Sequence, residues 1–244
     1  MVDTGAEASL ITPEAAQRLG LRRDRHHARL LLGAGGSIVS ADAEVRRYGA
    51  GSVALDAGDI AVGSTATAAN AHVDGLLGAD LLAGFEVDLD IPQSRLGLWQ
   101  AAGCGADFDP VEGPHFAVPE IRAAGGHVLV PVRLNGANML AVLDSGAAIT
   151  VVTDAAAAYA GITSAALARD PGGIGFGTDR HGIAYHAHRF AEFAIGPERH
   201  RGPVLAVGPV RVPVAGMLLG ADYLAHHRAW ISRVVPLVFV APER

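Results

Sequence analysis

Two short and similar stretches of the sequence each carry an aspartate in a setting suited to acid–base chemistry. "DTGA" begins at Asp3 and "DSGA" begins at Asp144. A single tetrapeptide of this kind is weak evidence, because Asp-Ser-Gly is also a common turn sequence. Two copies at equivalent positions of a repeat predict that the two carboxylates meet at a pseudo-twofold axis. Carboxylates in contact share one proton, so the pair would supply an acid and a base in one site.

The similarity extends beyond the two aspartates. "LLGADLL" at 76–82 recurs as "LLGADYL" at 218–224, in the same order and at almost the same spacing. Repeats of this kind predict two similar units packed together. The stretch 100–114 is rich in Gly, Pro and Ala and has no periodicity, as expected for a boundary. We therefore expect one lobe over 1–103, a linker over 104–114 and a second lobe over 115–244.

The elements around each aspartate are predicted to be mostly β. In the second unit, two apolar runs flank Asn135-Gly136, a strong hairpin signal, and the second run leads directly into Asp144. A strand over 148–153 and a short helix over 154–161 follow, with Asp154 as the expected cap and Gly161 as the stop. The first unit repeats this pattern with a strand over 9–12 and a helix over 13–20.

No hairpin precedes Asp3 in this sequence. We expect that the first unit lacks its first β-hairpin, either because the chain is truncated or because its start codon is misassigned. A loop next to a free terminus would have little to hold it within the tolerance that catalysis needs. The DNA upstream of Met1 tests this expectation, since it would encode a strand-forming segment in frame.

These motifs resemble those of the retropepsin-like aspartic proteases, in the double-domain form found in some bacterial proteins. The resemblance rests on the two Asp-[Thr/Ser]-Gly-Ala motifs and on the later Leu-Leu-Gly of each unit. Its third and loosest feature is a glycine-rich segment in each unit, "LLLGAGGSIVSADAEV" from Leu30 and "GGIGFGTDRHGIAYHAHRF" from Gly172. The resemblance implies a mainly β fold with two closed β-barrel lobes, related by pseudo-twofold symmetry, and a few short helices.

The resemblance also implies roles for particular residues. Asp3 and Asp144 would be catalytic, and Thr4 and Ser145 would hydrogen-bond across the axis. Gly5 and Gly146 would let each loop turn tightly beside the carboxylates. Four residues would support the loops from beneath: Leu77, Gly78, Leu219 and Gly220. Two flap hairpins would cover an extended peptide, with glycines at Gly33, Gly35, Gly36, Gly175 and Gly177.

By this resemblance the protein would be an aspartic endopeptidase acting on peptides or unfolded protein. Because both half-sites lie in one chain, a monomer would suffice for the active site. Two alternatives stay open: a peptide-binding module with the fold but without the activity, and an enzyme weakened by a missing N-terminal hairpin. The resemblance also favours a periplasmic or secreted location.

Composition argues against several other classes of function. The net charge is −6 and the basic residues are scattered, so nucleic acid is not an expected partner. No apolar run approaches the ~20 residues of a membrane-spanning helix. The glycine-rich segments lack the P-loop pattern, and the eleven histidines show no H-E-x-x-H motif. We therefore expect no metal and no cofactor, and no role for the single Cys104.

Four further residues invite a functional interpretation but favour a structural one. Asp80 and Asp222 follow each Leu-Leu-Gly and are expected to cap the short helices that begin there. Trp99 and Trp230 lie near the ends of the units and are expected to be core or interface aromatics.

Overall fold

The computed structural model describes residues 1–33, 36–55, 58–63, 73–100, 103–176, 182–212 and 214–242. These residues form a mainly β protein with five short α-helices and one 3-10 turn. We call residues 1–100 the first half and residues 103–242 the second half.

The first half has nine described strands and two described helices. In chain order these are β1 (Leu10–Ile11), α1 (Pro13–Arg18), β2 (Arg23–Gly33), β3 (Gly36–Val45), β4 (Tyr48–Ala50), β5 (Val53–Leu55), β6 (Gly58–Val62), β7 (Gly75–Leu76), α2 (Ala79–Leu82), β8 (Glu86–Asp90) and β9 (Arg95–Trp99).

The second half has thirteen described strands, three helices and the 3-10 turn. In chain order these are β10 (Phe116–Pro119), β11 (Ile121–Arg122), the turn (Ala124–Gly126), β12 (Val128–Leu134), β13 (Ala137–Leu143), β14 (Val151–Thr153), α3 (Asp154–Tyr159), α4 (Ser164–Leu167), β15 (Gly172–Phe176), β16 (Gly182–Arg189), β17 (Glu192–Ile195), β18 (Glu198–Arg201), β19 (Val204–Gly208), β20 (Met217–Leu219), α5 (Ala221–Leu224), β21 (His227–Ile231) and β22 (Leu237–Pro242).

The two halves repeat one pattern of strand pairing. The strand order is β2-β3-β6-β1-β7 in the first half and β15-β16-β19-β14-β20 in the second, where the sheet continues through β13, β12, β17 and β18. In both, the strand after the aspartate loop pairs parallel with one neighbour and antiparallel with the other. The mainly β fold expected from the sequence is therefore confirmed, whereas closure of these sheets into barrels stays a prediction.

A third sheet joins the halves, in the order β10-β22-β21-β8-β9. At its centre β8 of the first half pairs antiparallel with β21 of the second, with Asp88 opposite Trp230. The largest core cluster continues across this junction, since Val87 and Leu89 pack in one cluster with Ile231 and Val238. Burial of this apolar surface holds the halves in one fixed arrangement.

The hairpin predicted before Asp144 is present. Strands β12 and β13 pair in register around Asn135 and Gly136, which have φ of 49° and 84°. Positive φ at both central residues is what a type I′ hairpin turn requires, and Asn and Gly adopt it at low cost. The turn fixes the register that carries β13 into the second aspartate loop.

The predicted helices after the two aspartates are present, but one cap differs. Thr12 caps α1 by accepting a hydrogen bond from the Ala15 N–H at 3.2 Å. Thr153, not Asp154, caps α3, accepting from the Ala156 N–H at 3.1 Å. Asp154 lies in the first turn, where its charge still favours the positive end of the helix dipole.

Two residues near the junction differ in their surroundings. Trp230 is buried and packs with Val111, Val235 and Phe239, whereas Trp99 is 55% exposed and stacks on Trp230 at 6.3 Å between ring centroids.

Val111 belongs to the stretch expected to be a linker, and it is 4% exposed. At Val111 this stretch therefore packs against Trp230 of β21 and Phe239 of β22.

Candidate active site

The two aspartate loops lie together and are joined by reciprocal hydrogen bonds. The Thr4 N–H donates to Ser145 Oγ at 3.1 Å, and the Ser145 N–H donates to Thr4 Oγ1 at 3.0 Å. The Thr4 hydroxyl then donates to the Leu143 carbonyl at 2.6 Å, and the Ser145 hydroxyl donates to the Val2 carbonyl at 3.0 Å. Each hydroxyl thus binds only groups of the opposite loop. A network with every member satisfied holds both loops rigid.

The two carboxyl groups, one from each half, are hydrogen-bonded to each other. The Gly5 N–H donates to Asp3 Oδ1 at 3.1 Å, and the Gly146 N–H donates to Asp144 Oδ1 at 2.9 Å. A methyl group on Gly5 would overlap the Asp144 carboxyl, and one on Gly146 would overlap the Asp3 carboxyl. Glycine is required at both positions because each loop backbone passes directly against the opposite carboxyl.

The acid–base properties of the pair follow from its surroundings. Burial and, after it, the negative charge of Asp144 raise the pKa of Asp3 from 3.8 to about 7, against the opposing effect of hydrogen bonds from the Gly5 and Ala6 N–H groups. Burial also raises the pKa of Asp144, while hydrogen bonds from the Ala147 and Gly146 N–H groups act in the opposite direction. Since carboxyl groups in contact are costly to ionise together, we expect the pair to share a single proton over a wide range of pH.

The raised pKa of Asp3 predicts a pH-dependent cost to stability. Between about pH 4 and pH 7 the folded protein keeps a proton that the unfolded chain has lost, so stability falls as the pH rises through this window. Asp3→Asn removes the titrating group. After allowance for partial exposure, we expect its melting temperature relative to wild type to rise by about 5 °C between pH 4 and pH 8. Thermal unfolding at both pH values measures this.

The exposed Asp154 supplies a control for that experiment. Asp154→Asn should shift the melting temperature by the same small amount at both pH values, since a surface charge contributes little. A difference between Asp3→Asn and wild type that stays constant from pH 4 to pH 8 would contradict the assignment of a shared proton.

The Leu-Leu-Gly segments lie directly beneath the loops. The Asp3 N–H donates to the Leu77 carbonyl at 3.0 Å, and the Asp144 N–H donates to the Leu219 carbonyl at 2.9 Å. A methyl group on Gly78 would overlap the backbone of Ala8, and one on Gly220 would overlap the backbone of Ile149. The glycines therefore allow the close approach of two backbones.

Asp80 and Asp222 do not cap helices as expected from the sequence. The N-cap positions of α2 and α5 are Gly78 and Gly220. Asp80 instead accepts from the backbone N–H and the hydroxyl of Ser9, at 2.9 and 2.6 Å. Asp222 accepts in the same way from Thr150, at 2.8 and 2.6 Å. Each carboxylate lies in the first helical turn, where it bonds to the loop and also accepts from the next backbone N–H of its helix, that of Leu81 or Tyr223, at 2.9 Å.

Ser9 and Thr150 are positioning residues that the sequence reasoning missed. The Ser9 hydroxyl accepts from the Gly78 N–H at 2.8 Å, and the Thr150 hydroxyl accepts from the Gly220 N–H at 3.1 Å. The signal was available, because the two hydroxyl residues occupy equivalent positions six residues after Asp3 and Asp144.

The glycine-rich segments both form antiparallel hairpins. Gly33 and Gly36 face each other as the last pair of β2 and β3, and Gly175 lies in β15, which pairs with β16. Gly35 and Gly177 lie outside the described residues. Exposed Leu30 and Val39 are opposite each other in the first hairpin, and Ile174 and Phe176 are exposed in the second.

The segment that leads to Asp3 is held by backbone pairing. The Met1 ammonium donates to the Gly75 carbonyl at 2.9 Å, and the Leu77 N–H donates to the Met1 carbonyl at 2.9 Å. Val2 forms a parallel bridge with Leu77, as β13 does with β20 in the second half. The loop therefore has specific partners, contrary to the expectation that little would hold it.

Among the described residues, no group of three or more His, Cys, Asp or Glu side chains is arranged to hold a metal ion. Nor do the described helices include one with the length and apolar character of a membrane span.

Comparison with known proteins identifies the family of the chain. The family model described as aspartyl protease matches residues 1–81 and 130–223, and so includes both aspartate loops and both Leu-Leu-Gly segments. The chain belongs to the aspartyl protease family, as the resemblance predicted. Among solved structures, a retropepsin-like aspartic protease from Rickettsia conorii is 17% identical, with a TM-score of 0.41 over 52% of this chain and 89% of that one. Sequence comparison with curated proteins finds no match.

Proposed function

We propose that the protein is an aspartic endopeptidase, with Asp3 and Asp144 as its catalytic pair. The observation that carries this proposal is the mutual hydrogen bond of the two carboxyl groups, which are supplied by equivalent loops of the two halves. Because one chain supplies both, a homodimer is not needed to complete the site.

The proposed reaction uses the two protonation states of the pair. Ionised Asp144 takes a proton from a water molecule as that water attacks the carbonyl carbon of the peptide bond. Protonated Asp3 donates its proton to the carbonyl oxygen, which gives a neutral tetrahedral diol. The proton held by Asp144 then passes to the amide nitrogen, the carbon–nitrogen bond breaks, and Asp3 regains its proton as the new carboxyl group forms.

The two glycine-rich hairpins are proposed as flaps. Strand edges of this kind pair with an extended peptide through backbone hydrogen bonds, and side chains such as Leu30 and Ile174 would contact its residues. Closure over the peptide would exclude water other than the attacking molecule. The substrate is therefore proposed to be a peptide or an unfolded protein in extended form.

A cleavage assay tests the proposal directly. The protein is incubated between pH 4 and pH 9 with an unfolded protein and with a library of extended peptides, and the products are identified by mass spectrometry. We expect cleavage that a statin-type transition-state mimic blocks, and that falls above about pH 7 as Asp3 loses its proton. Peptide binding without cleavage at any pH would overturn the proposal in favour of a binding module.

A further inference from the structure

A tight turn of the second half packs against the first aspartate loop. Gly125 and Gly126 have φ of 79° and 81°, so both adopt the left-handed conformation that favours glycine. A methyl group on Gly125 would overlap the Glu7 carboxyl, and one on Gly126 would lie 2.9 Å from Ala79 Cβ. The turn thus touches the loop of Asp3 and the start of α2, both in the first half.

His127 follows this turn and forms an ion pair across the halves. His127 is 8% exposed, whereas the Glu7 side chain is 50% exposed. The His127 Nε2 atom lies 3.3 Å from Glu7 Oε1. Its Nδ1 is buried and has no hydrogen-bond partner among the described residues. The contact joins the two halves within four residues of Asp3.

This arrangement is not repeated in the second loop. Glu7 is the fourth residue after Asp3, whereas the fourth residue after Asp144 is Ala148, which has no charge. Only the first loop is thus held to the opposite half by a side-chain ion pair among the described residues.

We propose, resting on the proposed function, that His127 is a positioning residue for the catalytic pair: its contact with Glu7 holds the Asp3 loop against the second half. This contact is required for full activity. Four charged side chains lie on the elements packed around His127 or beside it in sequence. They are Glu7, Asp144, Asp80, which is bound to Ser9, and Arg122, which is bound to Glu120.

Replacement of the imidazole tests this contact. His127→Gln removes the ring that lies against Glu7, whereas His127→Arg places a guanidinium beside the Glu7 carboxylate. We expect kcat of His127→Gln to fall about 10-fold at pH 5.5, with KM within about 2-fold, because a small displacement of the loop slows the chemical step. His127→Arg should restore kcat.

A thermal unfolding cycle tests the pair without any need for activity. At pH 5.5, Glu7→Gln and His127→Gln should each lower the melting temperature by about 3 °C, and the double variant should lower it no further, since each change breaks the same pair. His115→Gln, which removes a histidine bound to Asp109 within the second half, is the matched control and should leave kcat unchanged.

The kinetic assay and the unfolding cycle distinguish failure of the positioning role from failure of the endopeptidase proposal. Additive losses of melting temperature, or an unchanged kcat in His127→Gln, would overturn the positioning role while leaving the endopeptidase proposal in place. Absence of cleavage by the wild-type protein at every pH would overturn the endopeptidase proposal, and the unfolding cycle would still decide whether Glu7 and His127 are coupled.

Discussion

Asp144→Asn is expected to lower kcat/KM for a cleaved peptide by about 10³-fold, because it removes the group that takes the proton from water. The amide has the size of the carboxyl, and its oxygen can still accept from the Gly146 and Ala147 N–H groups, which lie at 2.9 and 3.0 Å from Asp144 Oδ1. The loop should therefore keep its shape. Initial rates on one peptide, at a pH between 4 and 6, measure the effect.

Asp154→Asn serves as the control, since it makes the same chemical change at an exposed position ten residues further along the chain. Its kcat/KM should match that of the wild-type protein. The melting temperature of Asp144→Asn at pH 5 should stay within a few degrees of wild type, which shows that the fold is retained. Cleavage within 10-fold of wild type in a folded Asp144→Asn protein would remove Asp144 from the mechanism.

The size of this expected effect depends on how rigidly the loops are held. General acid–base catalysis needs both carboxyl groups within hydrogen-bond reach of the reacting atoms, and a shift of about 1 Å is enough to slow the reaction. Three layers oppose such a shift: the Thr4–Ser145 network, the glycines beneath the loops, and the bonds from Ser9 and Thr150 to Asp80 and Asp222. The site is thus supported by groups that never touch substrate.

Much of this site could be predicted because its motifs occur in both copies of the repeat. The equivalence of Asp3 and Asp144 required no structure, and Asn135-Gly136 determined its hairpin through local backbone preferences alone. Local chemistry was also sufficient to place helices after Thr12 and Thr153, although the choice of Thr153 over Asp154 as cap depends on where the preceding strand ends.

The contacts between the halves could not be predicted in the same way. The pairing of β8 with β21 joins residues about 140 positions apart, and no turn or periodicity signals it. His127 and Glu7 have no counterpart in the repeat, so comparison of its two copies could not reveal them. Glu86 also has no distinguishing feature in the sequence, where it is a polar residue at the start of a strand. Its role depends on donors from the second half, which only the folded chain places around it.

Glu86 is the residue whose removal we expect to destabilise the fold most. It lies at the junction of the halves and is 2% exposed. Its Oε2 accepts from Trp230 Nε1 at 2.8 Å, and its Oε1 accepts from the Val234 N–H at 2.9 Å, from the Arg233 N–H and from the Ser232 hydroxyl. Every one of these donors belongs to the second half, so one carboxylate satisfies four groups across the junction.

Glu86→Ala is expected to lower the free energy of unfolding by about 4 kcal/mol, because it leaves a cavity and several buried donors without an acceptor. For a chain of this size that corresponds to a fall in melting temperature of about 8–16 °C. Glu44→Ala, at an exposed position in β3, is the matched control and should change the melting temperature by less than about 2 °C.

Because Glu86 holds the second half to the first, its loss should also weaken the pairing of β8 with β21, and kcat should fall at temperatures well below the melting point. A Glu86→Ala protein with the melting temperature of the Glu44→Ala control would show that strand pairing and apolar burial join the halves without a contribution from this carboxylate.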